Sequence, residues 1–210
     1  MKKLFILIAM ITISSAAFSQ IPVGTWFIGG SAQFYMAKSN YASDSLNNYT
    51  ETYFSISPSV GVMISNHFEV GLDVSYYNAS YKYPNNTTNN YTYNRFGVGA
   101  FANYYHGFSD NSMFYYQVWG GVSADFGSQG PTPLSSTTET KYTALYVGIM
   151  PGIAVKPAKH FMFKVYYGSL AFNSETDKFP DSKNDTFNNF NLNVSPGSLT
   201  LGFDYLIGGK

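Results

Sequence analysis

Three histidines, His67, His106 and His160, are the only bases in this sequence suited to activating a nucleophile near neutral pH, and there is no cysteine. Hydrolysis or acyl transfer needs a nucleophile, a base and an orienting group in mutual reach. His67 and His160 instead fall on short polar turns, and His106 closes an alternating run, so all three read as turn or interfacial residues. No catalytic site is expected from them. The missing cysteine also removes disulfides, zinc thiolate sites and a lipoprotein anchor. Asp44, Glu51, Asp177, Asp181 and Asp185 lie in polar segments and read as solvated loop charges, with a calcium site among the last three as the alternative. No metal and no cofactor are expected, and no nucleotide-binding glycine pattern is present.

Six other charges have a different setting. Glu69, Asp73, Arg95, Asp125, Lys164 and Asp204 all lie on the polar side of runs that alternate with apolar residues. If those runs line a common interior, the charges must be paired and hydrogen-bonded, because an isolated buried charge is costly. A hairpin folded about Gly107–Asn111 brings Arg95 near Asp125, and that pair is expected. Two arrangements fit such an interior: a plug of ion pairs and tyrosine hydroxyls, or a narrow polar pathway.

The elements that position these charges are strands. From residue 68 to 76, Phe68, Val70, Leu72, Val74 and Tyr76 alternate with Glu69, Gly71, Asp73 and Ser75, the period of two that marks a strand with unlike faces. Similar runs occupy about 24–38, 52–65, 95–105, 112–127, 140–155, 161–173 and 198–205, giving eight strands. Connections after the second, fourth and sixth are short, at Ser65-Asn66-His67, Gly107 to Asn111 and Lys156 to His160. The others, 39–51, 83–91, 128–139 and 174–186, are long and rich in Asn, Ser, Thr and aromatics. This strict alternation places all the tight turns at one end, as in outer-membrane barrels. Pro58, Pro151 and Pro196 fall inside the runs, where bulges or ladder breaks are expected.

Period alone does not say which face is outside. A soluble barrel would bury the apolar face, and an apolar ligand would then occupy its interior. Three features favour the inverse arrangement. Aromatics gather at both ends of the apolar face, Trp26, Phe68, Tyr104, Phe114, Phe161, Phe203 and Tyr205 near the short turns and Phe34, Phe54, Tyr76, Phe96 and Phe126 near the other end. The run from Phe68 to Tyr76 is about 26 Å long, or roughly 20 Å of height when tilted, close to a membrane's apolar band. The polar face is glycine-rich, which suits a crowded narrow interior.

The first residues read as a secretory signal, with Lys2 and Lys3, an apolar stretch from Leu4 to Ile13, and Ala17-Phe18-Ser19 before a cleavage point. The expected division is a signal peptide over 1–19 and a barrel over 20–210. A net charge of zero offers no basic surplus for nucleic acid.

The hairpin from Ser57-Pro58 through Val60, Gly61 and Val62 to His67-Phe68 resembles the small outer-membrane β-barrel proteins of Bacteroidetes-type Gram-negative bacteria, similar in architecture to OmpX, OmpW and the OmpA barrel domain. A second hairpin, Met150-Pro151-Gly152-Ile153 to His160-Phe161, echoes the first, which suggests a structural repeat. Thr200, Gly202, Tyr205 and Ile207 resemble the C-terminal signal read by the barrel assembly machinery, although the chain departs from that pattern by ending Gly208-Gly209-Lys210. The resemblance implies an all-β, eight-stranded antiparallel up-and-down transmembrane barrel in the outer membrane, touching lipid and lipopolysaccharide. It fixes no activity. The expectation is a non-enzymatic barrel with a structural or surface-interaction role. A narrow passive channel, a lipid-modifying enzyme and a soluble periplasmic barrel are the alternatives.

Overall fold

A computed structural model describes residues 21–39, 48–84, 90–108, 113–129, 140–178, 185–194 and 198–208. The signal segment, Pro196, Asp44, Asp181 and most of the long connections lie outside the described residues. The strands are β1 (Trp26–Ser39), β2 (Tyr49–Met63), β3 (Phe68–Lys82), β4 (Tyr91–Gly107), β5 (Phe114–Gln129), β6 (Thr140–Ala158), β7 (Phe161–Tyr167), β8 (Ser169–Lys178), β9 (Asp185–Asn193) and β10 (Leu199–Ile207). β7 with β8, and β9 with β10, are each one interrupted span. The result is a closed barrel of eight antiparallel spans. Neighbours pair in chain order, and β1 closes the ring against β10.

The interruptions have physical causes. The β2–β3 ladder lapses at Ser57 and Pro58, between Ile56↔Tyr76 and Ser59↔Asp73, without a register shift. Gly30, opposite Pro58, has φ +153°, which only glycine adopts readily. On β6, Gly152 pairs with Tyr166 and Ile149 with Leu170, so two residues that include Pro151 face three that include Gly168. Proline has no N–H to give the ladder, and the extra residue forms a bulge at Gly168, φ +79°. The Gly168 N–H donates to Ser198 Oγ at 3.2 Å.

The bulge reverses the facing of the seventh span, so odd residues point outward through Tyr167 and Phe172 does so beyond it. The sequence reading ran that strand straight through to 173 and took 174–186 as loop. β8 instead continues to Lys178, and Asp185–Asn193 forms a further strand on it.

The faces are inverted relative to a water-soluble barrel. Leu72 and Phe96 are 62% and 59% exposed, whereas Glu69, Lys164 and Asp204 are 1%, 5% and 2% exposed. Outward rings form two belts. Phe68 packs on Tyr104 at 5.2 Å and Phe163 on Phe203 at 5.3 Å near the short turns, and Tyr76 packs on Phe96 at 4.9 Å toward the other end. The buried apolar cluster, with Ile21, Phe27, Met63, Tyr115, Met162 and Leu206, sits at the short-turn mouth. There the segment before β1 is tied in by Gly24 N–H to Met63 O and Met63 N–H to Thr25 O. Among the described residues no helix is long and apolar enough to cross a membrane, a fact that has no bearing on strands.

Candidate functional site: the lumen

Two layers of charge cross the interior. In the lower one, Lys164 on β7 reaches Asp204 at 2.6 Å on its neighbour β10 and Glu69 at 3.4 Å on β3, across the barrel. Glu69 Oε2 also accepts from Tyr105 OH at 2.6 Å and Asn103 Nδ2 at 2.8 Å. The ammonium lies 5.2 Å from the Phe27 ring centre and 5.6 Å from that of Tyr105. Charge-assisted bonds of this kind are what make burial of three ionised groups tolerable. Beneath this layer lies the apolar cluster at the mouth.

The upper layer has the same composition by charge. Arg95 on β4 lies 3.4 Å from Asp125 on β5 and 2.6 Å from Glu175 on β8. Tyr93 OH accepts from Arg95 and donates to Glu175 at 3.2 Å, and Ser123 donates to Asp125 at 3.0 Å. Still nearer the long-loop end, Glu51 accepts from Tyr35 OH at 2.6 Å and Tyr81 OH at 2.8 Å. Glu51 is thus an interior acceptor rather than the solvated loop charge read from sequence.

Glycines make room for these side chains. A Cβ on Gly61 would collide with the Glu69 carboxylate, and one on Gly97 with Asp125 and Ser75. Rings use the same device: Phe101 lies across Gly71, Trp119 across Gly121 and Tyr146 across Gly148. Large inward side chains therefore lie along the wall instead of spanning the axis. A chamber of about 260 Å³ remains between the two layers, lined by hydroxyls, rings and Asp73.

Of the six charges singled out from sequence, Lys164, Glu69 and Asp204 meet in one layer and Arg95 and Asp125 in the other. Asp73 joins neither. Glu175 and Asn103 were missed, and the tyrosine hydroxyls were expected as a class without any one of them being named. Glu175 fell in a segment read as loop, while the uncharged partners carry no signal beyond their inward parity.

The histidines serve the turns. His67 Nδ1 donates to Tyr105 O at 3.0 Å, and Tyr105 N–H donates to His67 O at 2.8 Å. His160 makes the same pair of bonds with Leu206, both at 2.8 Å. Each ring also neighbours a tyrosine, His67 5.9 Å from Tyr104 and His160 5.6 Å from Tyr205. The two hairpins repeat these histidine contacts, although their ladders differ at the prolines. Among the described residues no group of three or more His, Cys, Asp or Glu is placed to hold a metal ion.

The family model described as outer membrane protein beta-barrel domain matches residues 5–196. Among solved structures, the outer membrane protein OprG from Pseudomonas aeruginosa aligns with a TM-score of 0.48 and 14% identity, over 90% of this chain and 98% of that one. No curated protein matches the sequence.

Proposed function

The chain belongs to the outer membrane protein beta-barrel domain family and resides in the outer membrane, and from that premise we propose that it is a non-enzymatic integral barrel with a closed lumen and a structural or surface-interaction role. The observation that carries a closed lumen is the lower layer: Glu69, Lys164 and Asp204, joined across the barrel, rest on the packed cluster of Phe27, Met63, Met162 and Leu206. Water would have to pass side chains that are almost wholly buried. A surface role draws on β9, which pairs with β8 alone among the described residues and exposes Phe190 and Leu192, each 71% accessible. Exposed apolar residues on a strand edge favour contact with other molecules.

The non-enzymatic reading is supported by the histidines, of which two have Nδ1 committed to backbone carbonyls at the turns. The outward apolar band would meet lipid and lipopolysaccharide, and β10 would present the assembly signal to the barrel assembly machinery. Nucleic acid is not a partner in this reading. The passive channel is the second reading, and the chamber between the layers is what favours it. Conductance in planar bilayers separates the two: the closed lumen gives no stepwise current, and sizeable, stable steps would replace it with the channel.

A further inference from the structure

The chamber between the two charged layers has a charge of its own. Its charged lining residues are Asp73, Asp204 and Lys164, and Lys164 is already shared between Asp204 and Glu69. Among the described residues no ion pair or hydrogen bond reaches Asp73. Asp125 stands nearby, where a Cβ on Gly97 would touch both it and Ser75. One unsatisfied group at the chamber is an acceptor, Asn103 Oδ1, which belongs to a lining residue only 1% exposed. A surplus carboxylate in so enclosed a chamber calls for a positively charged partner.

The rest of the lining says what kind. Tyr53, Tyr77, Phe101, Trp119 and Tyr146 border the chamber. Phe101, Trp119 and Tyr146 pack over glycines of the wall, which keeps their rings beside the chamber. Aromatic faces attract cations through their quadrupoles, most strongly where water is scarce. Calcium would demand six to eight oxygen ligands, and a single free carboxylate among rings does not supply them.

We propose that the chamber is a binding site for a small organic ammonium ion, with Asp73 as its counter-ion and the Trp119 and Tyr ring faces around its apolar body. The inference stands apart from whether the lumen conducts, because occupancy of the chamber and passage through its floor are read by different measurements.

The protein has two tryptophans, Trp26 on the outer face and Trp119 in the chamber, so Trp26→Phe leaves Trp119 as the sole reporter. In detergent, N-methylpyridinium quenches Trp119 saturably, tetramethylammonium reverses the quenching by competition, and neutral tert-butanol does not. Adding Asp73→Asn weakens N-methylpyridinium about tenfold or more, while an unchanged heat-dependent gel shift shows that the barrel still folds. Linear quenching without saturation, or equal quenching with and without Asp73, overturns the proposal. Competition by potassium chloride as effective as that by tetramethylammonium also overturns it, in favour of an inorganic cation.

Discussion

Lys164 and Glu69 stand on opposite walls of the barrel, on β7 and β3, and their charged ends meet 3.4 Å apart in the interior. The contact fixes the width of the barrel at that height. It also fills the space that the neighbouring glycines leave open.

Removing the ammonium leaves Glu69 and Asp204 buried as two uncompensated carboxylates. Lys164→Met is expected to lower stability by about 3–5 kcal/mol, the cost of breaking a buried pair by losing one partner. The urea midpoint of the heat-modifiable band measures it. A midpoint equal to that of the parent protein would mean that the layer contributes no stability.

The repeated histidine contacts predict matched, modest effects. His67→Ala and His160→Ala each lose one hydrogen bond to a carbonyl that the backbone of the turn already holds in place, a loss of about 1 kcal/mol apiece. They sit on separate hairpins with no shared partner, so the double variant should equal the sum within about 0.5 kcal/mol. Chemical denaturation of the four proteins tests both statements. A marked coupling between the two sites would contradict the independence of the turns.

Glycine positions separate interior crowding from backbone freedom. Gly61→Ala pushes into the Glu69 carboxylate, which three other groups hold in place, and should cost about 1–3 kcal/mol. Gly120→Ala meets only ordinary contact, with the nearest side-chain atom at 3.6 Å, and should be neutral or stabilising by a few tenths of a kcal/mol, roughly what is gained by stiffening the unfolded chain. Equal effects at the two sites would remove the explanation offered for the glycine-rich interior.

On β9, Phe190→Ser with Leu192→Ser should leave the gel shift and denaturation midpoint unchanged, since both side chains are exposed and, among the described residues, only β8 borders the strand. Adsorption of the folded protein to hydrophobic resin should fall in the same variant. A large loss of stability would show instead that the two residues pack within the barrel wall.

Much of this was legible in the sequence for a definable reason. A period of two separates the two faces of a strand, and the aromatic belts, the span length and the glycine-rich polar face then said which one points outward, so the inward charges followed. The Arg95–Asp125 approach was legible too, because one hairpin joins its strands. The Pro-to-His spacing of the two hairpins likewise marked a repeat.

What periodicity omits is position around the ring and height along it. The Lys164–Glu69 contact depends on closure, and Arg95–Glu175 links strands separated by two others. Asp73 shares the inward parity of Glu69 but stands at the height of the chamber, apart from both layers. Past Gly168 a single extra residue reverses the facing, and the asparagine-rich Asp185–Asn193 then looks like loop.

The ring is joined unevenly. Among the described residues β1 meets β2 from Trp26 to Ser39, yet meets β10 only from Trp26 to Ala32. That joint unites the first and last strands, which are the farthest apart in the chain. It works as a clasp rather than a weld. The Gly168 bulge lies in the span next to β10, so strain on the wall would be released on that side while β2 to β6 remain a single curved sheet.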